Sequence, residues 1–196
     1  MTVAASPSAR NRGAMVVMND RIVSAYYVTK INANTLDTFK APEMGNLGSL
    51  ISDTPYFYYP PVLPTGKTAI SLDNVTSIPR VDILFAYENM HNDTLYSAIS
   101  NGAKGIVIAG AGAGGVSTPF NNAIDDVIAN YSIPIVQSTR AMSGEVPTSD
   151  VAGGTVLHIA SGYLNPMKSR ILLGLLLAKG KNMTEIAGTF AGSTND

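Results

Sequence analysis

The amino-acid sequence predicts an α/β protein whose C-terminal part is built around a parallel sheet. After Pro79, short runs rich in valine and isoleucine alternate with segments that carry helix caps and helix stops. This alternation is typical of strand–helix units in a parallel sheet. Hydrophobic residues make up 45% of the 196 residues against 14% charged, which is enough to build a core.

The first forty residues predict the end of a helix followed by strands. Residues 6–12 are interpreted as a helix end that stops at Gly13. Two β-rich runs, 14–19 and 22–30, flank the turn-forming pair Asn19-Asp20.

Prolines divide the chain in two. Five of them fall within residues 41–67, and repeated prolines argue against a helix or a central strand. We therefore expect a folded part at residues 1–59, a linker at 60–79 and a C-terminal domain at 80–196.

The C-terminal part predicts four strands and four helices. The strands are expected at residues 81–87, 105–109, 133–137 and 155–160. The helices are expected at residues 93–101 with Asp93 as cap, at 119–130, from Asn165-Pro166 to Gly180, and after Asn182.

Composition excludes several classes of function. A net charge of −1 gives no reason to expect nucleic acid or an anionic membrane as partner, and no apolar run reaches about 18 residues. The chain has no cysteine, and His91 and His158 stand far apart, so we expect no metal site and interpret both histidines as structural or exposed. Residues 1–12 lack the apolar core of a signal peptide.

One segment carries a specific signal. Residues 28–40, with the sequence VTKINANTLDTFK, resemble the part of type II L-asparaginases that holds the catalytic lysine. Further segments resemble that family in the same order along the chain: RGAMVVMND (12–20), AKGIVIAGAGAG (103–114), STR (138–140) and ASGYLNP (160–166). The chain is therefore identified as similar to the asparaginase/glutaminase family over essentially its whole length.

This resemblance implies a fold and an activity. Residues 1–59 would be the end of a larger N-terminal α/β domain, and residues 80–196 a smaller flavodoxin-like C-terminal domain. The family hydrolyses L-asparagine to L-aspartate and ammonia without cofactor or metal, and assembles as tetramers with active sites shared between subunits. The complete type II relative is expected in an extracellular, cell-wall or periplasmic location.

By resemblance Lys30 is the catalytic lysine, which relays the proton of a threonine nucleophile. The family's nucleophile motif and its threonine-aspartate pair lie well upstream of that lysine, and residues 1–29 contain neither. Thr29 and Thr35 are close to Lys30 but lack the glycine-flanked motif. The chain thus looks truncated, and we expect it to be inactive alone.

Two further residues are implied in substrate binding across a subunit interface. Gly115 matches a position where relatives carry asparagine or serine, so only its backbone is available here. Asp150 matches the acidic residue that meets the substrate's amino group, with Glu145 as the other candidate.

Alternative interpretations remain open. The chain could be a non-catalytic oligomerisation or binding module derived from an asparaginase. Gly110, Gly112 and Gly115 also spell a dinucleotide-binding pattern, although no helix follows at once. Residues 152–156 contain a Gly-Gly-Thr that imitates the nucleophile loop, but a turn before a strand explains it better.

Overall fold

The computed structural model describes residues 1–64, 69–151 and 156–192. The chain divides into two compact units, Met1–Thr65 and Gly66–Asp196. The mixed α/β class expected from the sequence is confirmed. The finer division into residues 1–59, 60–79 and 80–196 stays a prediction.

The first unit is built on an antiparallel sheet of four strands. A short helix α1 (Thr2–Ala5) and a 3-10 turn (Pro7–Ala9) precede it. Its strands are β1 (Met15–Met18), β2 (Arg21–Ser24), β5 (Gly48–Ile51) and β6 (Thr54–Phe57), in the spatial order β1-β2-β5-β6. A separate two-stranded hairpin is formed by β3 (Thr29–Lys30) and β4 (Phe39–Lys40).

Tight turns set the register of this sheet. Asn19 and Asp20 join β1 to β2 with φ angles of 50° and 58°, and Ser52 and Asp53 join β5 to β6 with 47° and 62°. Two consecutive left-handed residues define the type I′ loop, whose twist matches that of the flanking strands. The predicted turn at Asn19-Asp20 is confirmed.

Two expectations for this unit are wrong, and one element was not foreseen. The helix end at residues 6–12 is replaced by the 3-10 turn, because Pro7 forces Ser6 into an extended conformation (ψ 129°). The run 22–30 is two strands, interrupted where the Tyr27 and Val28 amides both donate to the Ser24 carbonyl. The β5–β6 hairpin was not expected among the prolines.

The second unit is a parallel sheet with helices. Its strands are β7 (Val81–Phe85), β8 (Gly105–Gly110), β9 (Ile135–Thr139) and β10 (Ile159–Ala160). Its helices are α2 (Asp93–Ser100), α3 (Thr118–Tyr131), α4 (Thr148–Val151), α5 (Pro166–Ala178) and α6 (Met183–Ala191). The strands lie side by side in chain order, so consecutive strands are neighbours in space.

Alternation along β8 gives the sheet two apolar faces. Ile106 and Ile108 are fully buried in the cluster formed with α2 and α3. On the opposite face α5 packs so closely that a Cβ built at Gly105 would lie 2.8 Å from Leu173 Cδ2. Successive strand residues point to opposite faces, so this one strand separates two helical layers.

Most predicted elements of this unit are confirmed, with shifted ends. The strand expected at 133–137 begins two residues later, and Asn92 rather than Asp93 is the N-cap of α2. Of the strand expected at 155–160, only the two residues of β10 are extended, and residues 152–155 lie outside the described part. Asn182 and Glu185 form the expected capping box of α6.

Candidate active site

Lys30 stands on the short hairpin of the first unit. It is paired with Phe39 across β3 and β4, and its side chain is exposed. The Lys30 Nζ lies 5.9 Å from the centroid of the Phe39 ring, within the range of a cation–π contact. Phe39 packs against the cluster of Val23, Val28 and Ala41, so the ring beside the amine is anchored in the core of this unit.

The loop of this hairpin is tied by side-chain hydrogen bonds. The Asn34 and Thr35 amides donate to Asn32 Oδ1 at 2.8 and 3.2 Å. The Asn32 amide donates to Thr38 Oγ1 at 2.9 Å, and that hydroxyl donates back to the Asn32 carbonyl. Thr38 is buried. The backbone that carries Lys30 therefore has a defined local structure.

An ion-pair bridge orients the hairpin on the sheet. Asp37 lies 2.9 Å from Arg21 Nε on β2 through one carboxylate oxygen and 2.9 Å from Lys40 Nζ through the other. The hydrogen bond from the Lys40 ammonium, helped by the charge of Arg21, lowers the pKa of the Asp37 carboxyl. Asp37 is thus ionised at neutral pH and links the strand before Lys30 to the strand after it.

The two threonines near Lys30 in sequence lie at different places on the hairpin. Thr29 precedes it on β3, so its side chain points to the opposite face of the strand. Thr35 is exposed in the hairpin loop. The Gly-Gly-Thr at residues 152–156 falls mostly outside the described part of the chain.

Gly115 closes a compact loop after β8. The Ala111 and Gly115 backbones exchange two hydrogen bonds of 2.8 and 2.7 Å. Between them Gly112 and Gly114 have φ angles of 51° and 87°, a conformation that glycine adopts without strain. Gly115 itself is exposed, and a Cβ added there would meet only the Ala111 carbonyl, at 3.2 Å.

Asp150 lies on α4 at the same edge of the parallel sheet. Its carboxylate is exposed and accepts a hydrogen bond of 3.0 Å from Ser149 Oγ. A Cβ built on Gly114 would lie 3.0 Å from Val146 Cγ1 and 3.5 Å from Val151 Cγ1. The glycine loop therefore packs against the segment that carries Asp150. Glu145, the other candidate, is half-buried in that segment.

A cavity of about 380 Å³ opens beside Gly115. It is bounded by the ends of β7 and β8, the start of α3 and Arg140, which follows β9. The Arg140 guanidinium donates to the Ala86 carbonyl at 2.5 Å, which ties two of these strand ends together. Crevices at the carboxyl ends of parallel strands are the usual ligand sites of α/β sheets.

The dinucleotide interpretation gains no support from this loop. The glycines close on themselves through the Ala111–Gly115 bridge, and α3 begins three residues later at Thr118. Nucleotide sites of this class lie where the strand order reverses, and the four strands described in this sheet run in simple succession.

Sequence reasoning missed one cluster. His158 is buried, with Nδ1 2.7 Å from Gln137 Oε1 and Nε2 2.6 Å from Asp125 Oδ1. These residues are 21 and 33 positions from His158, and no local pattern connects them. The signal in the sequence that could have pointed to this cluster is a histidine within an apolar run.

Within 1–64, 69–151 and 156–192, no three His, Asp or Glu side chains group closely enough to hold a metal ion. In that same part, no helix has the length and apolar character needed to cross a membrane.

Comparison with known proteins gives consistent matches. The sequence model described as "Asparaginase, N-terminal" matches residues 1–63, and "Glutaminase/Asparaginase C-terminal domain" matches residues 80–190. L-asparaginase 2-1 of Saccharomyces cerevisiae is 43% identical over 196 residues, 98% of this chain and 53% of the relative. L-asparaginase 2 of Bacillus subtilis is 40% identical over 189 residues, 96% of this chain and 50% of the relative.

A solved structure is also similar. The probable cytoplasmic L-asparaginase from Campylobacter jejuni superposes with a TM-score of 0.86 at 31% identity, covering 96% of this chain and 58% of that one. The chain spans about half the length of the curated relatives it matches.

Proposed function

Because the chain belongs to the glutaminase/asparaginase family, we propose that it forms part of an L-asparaginase, an amidohydrolase that converts L-asparagine to L-aspartate and ammonia. The observation that carries the proposal is the match of both family domains, in order, with Lys30 on a structurally tied hairpin within the first. L-asparagine is the proposed substrate, and a homo-oligomer, a tetramer by family resemblance, is the proposed assembly.

Lys30 is proposed to handle the proton of the nucleophile. A threonine hydroxyl becomes a competent nucleophile when a base takes its proton as the oxygen attacks the amide carbon. The proton held by the amine then passes to the departing nitrogen, which leaves as ammonia, and water hydrolyses the resulting ester. In this proposal the nucleophilic threonine is supplied by residues outside the 196 of this chain.

Gly115 and Asp150 are proposed to contact substrate bound to another subunit. The Asp150 carboxylate, exposed at the edge of the parallel sheet, suits the ammonium group of an amino acid. Gly115 offers only backbone groups, and its N–H is already donated to the Ala111 carbonyl, so its contribution is shape and the second lone pair of its carbonyl oxygen.

The first test concerns the chain by itself. We expect no ammonia release from L-asparagine above background, because an amine without a positioned nucleophile and oxyanion donors lacks most of the catalytic apparatus. Turnover by the 196-residue chain that disappears in Thr155→Ala or Thr29→Ala would contradict this and reveal an internal nucleophile.

The second test adds an N-terminal segment to the chain. The chain is fused to, or co-expressed with, the N-terminal segment of a matched relative, and ammonia release is measured with Lys30→Met beside it. We expect activity in the assembled protein and a loss of about 100-fold or more in Lys30→Met, since the substitution keeps length but removes the ionisable amine. Lys104→Met, at an exposed site in the second unit, is the matched control and should retain activity. Near-normal turnover by folded Lys30→Met would reject the assigned role.

The alternative, a non-catalytic oligomerisation or binding module, predicts a different outcome. In that case the chain would still associate with the N-terminal segment or with itself, while no ammonia would be released by any assembled form. Exposed Tyr56, Tyr58 and Tyr59 on and after the edge strand β6 favour such an association surface.

A further inference from the structure

A buried line of polar contacts runs from α3 to the glycine loop. Asp125 on α3 contacts the His158 ring at 2.6 Å, and the other ring nitrogen contacts Gln137 Oε1 at 2.7 Å. The Gln137 amide nitrogen donates over 3.5 Å to the carbonyl of Gly114, the residue before Gly115. The side chain of His158 is 1% exposed, and Gln137 is buried on β9.

The loop fixes which way the Gln137 amide points. A backbone carbonyl only accepts, so the atom of Gln137 that faces Gly114 must be the NH2 group. The amide oxygen then faces His158 Nδ1, and an oxygen in that position also only accepts. His158 Nδ1 must therefore carry a proton.

The other ring nitrogen is constrained in the same way. An ionised Asp125 accepts hydrogen bonds and donates none, so His158 Nε2 must also carry a proton. The arrangement is satisfied by an imidazolium whose charge is balanced by the Asp125 carboxylate, 34% exposed at the surface of the unit. Charge-assisted hydrogen bonds of this kind are about twice as strong as neutral ones.

Groups of three elements bear on the ring, and the charged one among its hydrogen-bond partners is Asp125. On α3, Asp125 faces the ring, whereas Asp126 is bound by the Tyr96 hydroxyl at 2.7 Å and by Asn130 at 2.7 Å. On β9 the contact is the neutral Gln137. On α6, which packs beside β10, Glu185 is held by Lys181 at 2.7 Å and by the cap of its own helix.

We propose that His158 and Gln137 are positioning residues, through which the protonated imidazole holds the glycine loop in place. Gly114 already packs on Gln137, since a Cβ built on it would lie 3.6 Å from Gln137 Cβ. Loss of the Nδ1 proton leaves two acceptors facing each other in a buried site, which is unfavourable because neither is hydrogen-bonded. Turning the amide relieves that contact but sets its oxygen against the Gly114 carbonyl. The protonation state of His158 is thereby transmitted to the backbone beside Gly115.

The consequence for substrate binding rests on the proposed function, because it is Gly115 that would meet the substrate. The positioning of the loop by His158 and Gln137 does not rest on the proposed function, and it can be measured without any catalysis. A protein that shows the coupling but never releases ammonia would fail the proposed function and leave the positioning intact.

The test is a pH titration of the full 196-residue chain by NMR. The chain has only two histidines, so His91→Gln assigns the ring signals of 15N-labelled histidine directly. We expect the His158 ring signals and the amide signals of Gly112, Gly114 and Gly115 to change together, at the same midpoint pH. Below that pH both ring nitrogens should carry a proton, and the glycine loop should have the conformation described above. Loop signals that ignore the ring titration would overturn the proposal.

Two variants test separately the contact of Asp125 with the ring and the contact of Gln137 with Gly114. Asp125→Asn should displace the ring midpoint and the loop midpoint by the same amount, although Asp125 makes no contact with the loop, and Asp126→Asn is the control on the same helix. Gln137→Glu keeps an acceptor for the ring but removes the donor to Gly114, so the ring should stay doubly protonated while the loop signals no longer follow it. A loop that still follows the ring in Gln137→Glu would also overturn the assignment.

Discussion

At the scale of single residues, Lys168 combines an ionisable amine with a partly buried position, and burial disfavours the charged form of that amine. It occupies the first turn of α5, where its amide is capped by the Asn165 side chain at 3.0 Å. Burial lowers the pKa of the Lys168 amine from 10.5 to about 8. A cation near the N-terminus of a helix is also disfavoured by the helix dipole. The folded chain therefore favours the neutral form of this amine more than the unfolded chain does.

The same residue predicts a pH dependence. Below pH 8 both the folded and the unfolded chain hold the Lys168 proton, so the penalty is complete. Between about 8 and 10.5 the folded chain has lost the proton while the unfolded chain keeps it, so stability rises with pH. Urea unfolding measured across this window should show the rise in the wild type and not in Lys168→Met, which has no ionisable amine.

Residues differ in how far the sequence could identify them. The segment around Lys30 resembles a family, and the catalytic role of Lys30 stays a prediction; nothing local indicates that Phe39 would lie across from it. His158 was interpreted as structural or exposed, and it is buried, which agrees with a structural role, but its hydrogen-bond partners were not predicted. Its partners come from α3 and β9, so these contacts form only when the sheet and its helices have assembled. No periodic pattern in the sequence predicts them.

Among the elements, the β5–β6 hairpin has a turn that is poorly suited to its residues. Ser52 and Asp53 are both left-handed, a conformation that costs residues other than glycine about 1–2 kcal/mol each, with asparagine and aspartate better tolerated. We predict that Asp53→Gly stabilises the chain by about 1 kcal/mol, since glycine is the preferred second residue of a type I′ loop.

Thermal and urea unfolding of Asp53→Gly measure this effect. Glu43→Gly, at an exposed residue without a left-handed φ, is the control and should lose stability, because glycine there only adds freedom to the unfolded chain. Equal losses in both variants would show that the turn is not strained.

The elements of the second unit were predictable because local patterns mark them: apolar runs for the strands, and caps and stops for the helices. The β5–β6 hairpin was not, because Pro55 within it argued against a strand. Leu50, its partner across the hairpin, donates its amide to Asp20 on the far side of β5. Leu50 and Pro55 are thus a non-hydrogen-bonded pair, and the position where Pro55 lacks an N–H faces out of the edge strand. The proline is tolerated there for a reason visible only in the register.

At the scale of the whole molecule, the two units differ in how completely they bury their apolar surface. The parallel sheet is covered by α2 and α3 on one face and by α5 on the other, as a self-sufficient domain requires. Limited proteolysis should therefore cut first between residues 42 and 79 and leave a resistant C-terminal fragment, identified by mass spectrometry. Uniform resistance of all 196 residues would contradict this.

The first unit exposes aromatic and aliphatic side chains. Tyr58 and Tyr59 are 56% and 55% exposed, and Val62 and Leu63 follow at 56% and 51%. Contiguous surface of this kind favours association. We predict that the double substitution Tyr58→Ser/Tyr59→Ser lowers self-association of the chain in analytical ultracentrifugation. Tyr131→Ser, at a tyrosine of similar exposure in the second unit, should leave it unchanged.

The simple succession of β7, β8, β9 and β10 has a consequence for synthesis on the ribosome. Each new strand can join the edge left by the one before it, so the sheet can grow in the order in which the chain emerges. The helix that covers the second face, α5, is made only after β10, yet it packs on β7, β8 and β9. A nascent sheet therefore keeps one apolar face open until α5 emerges, and we expect this interval to be the stage at which the chain depends most on chaperones.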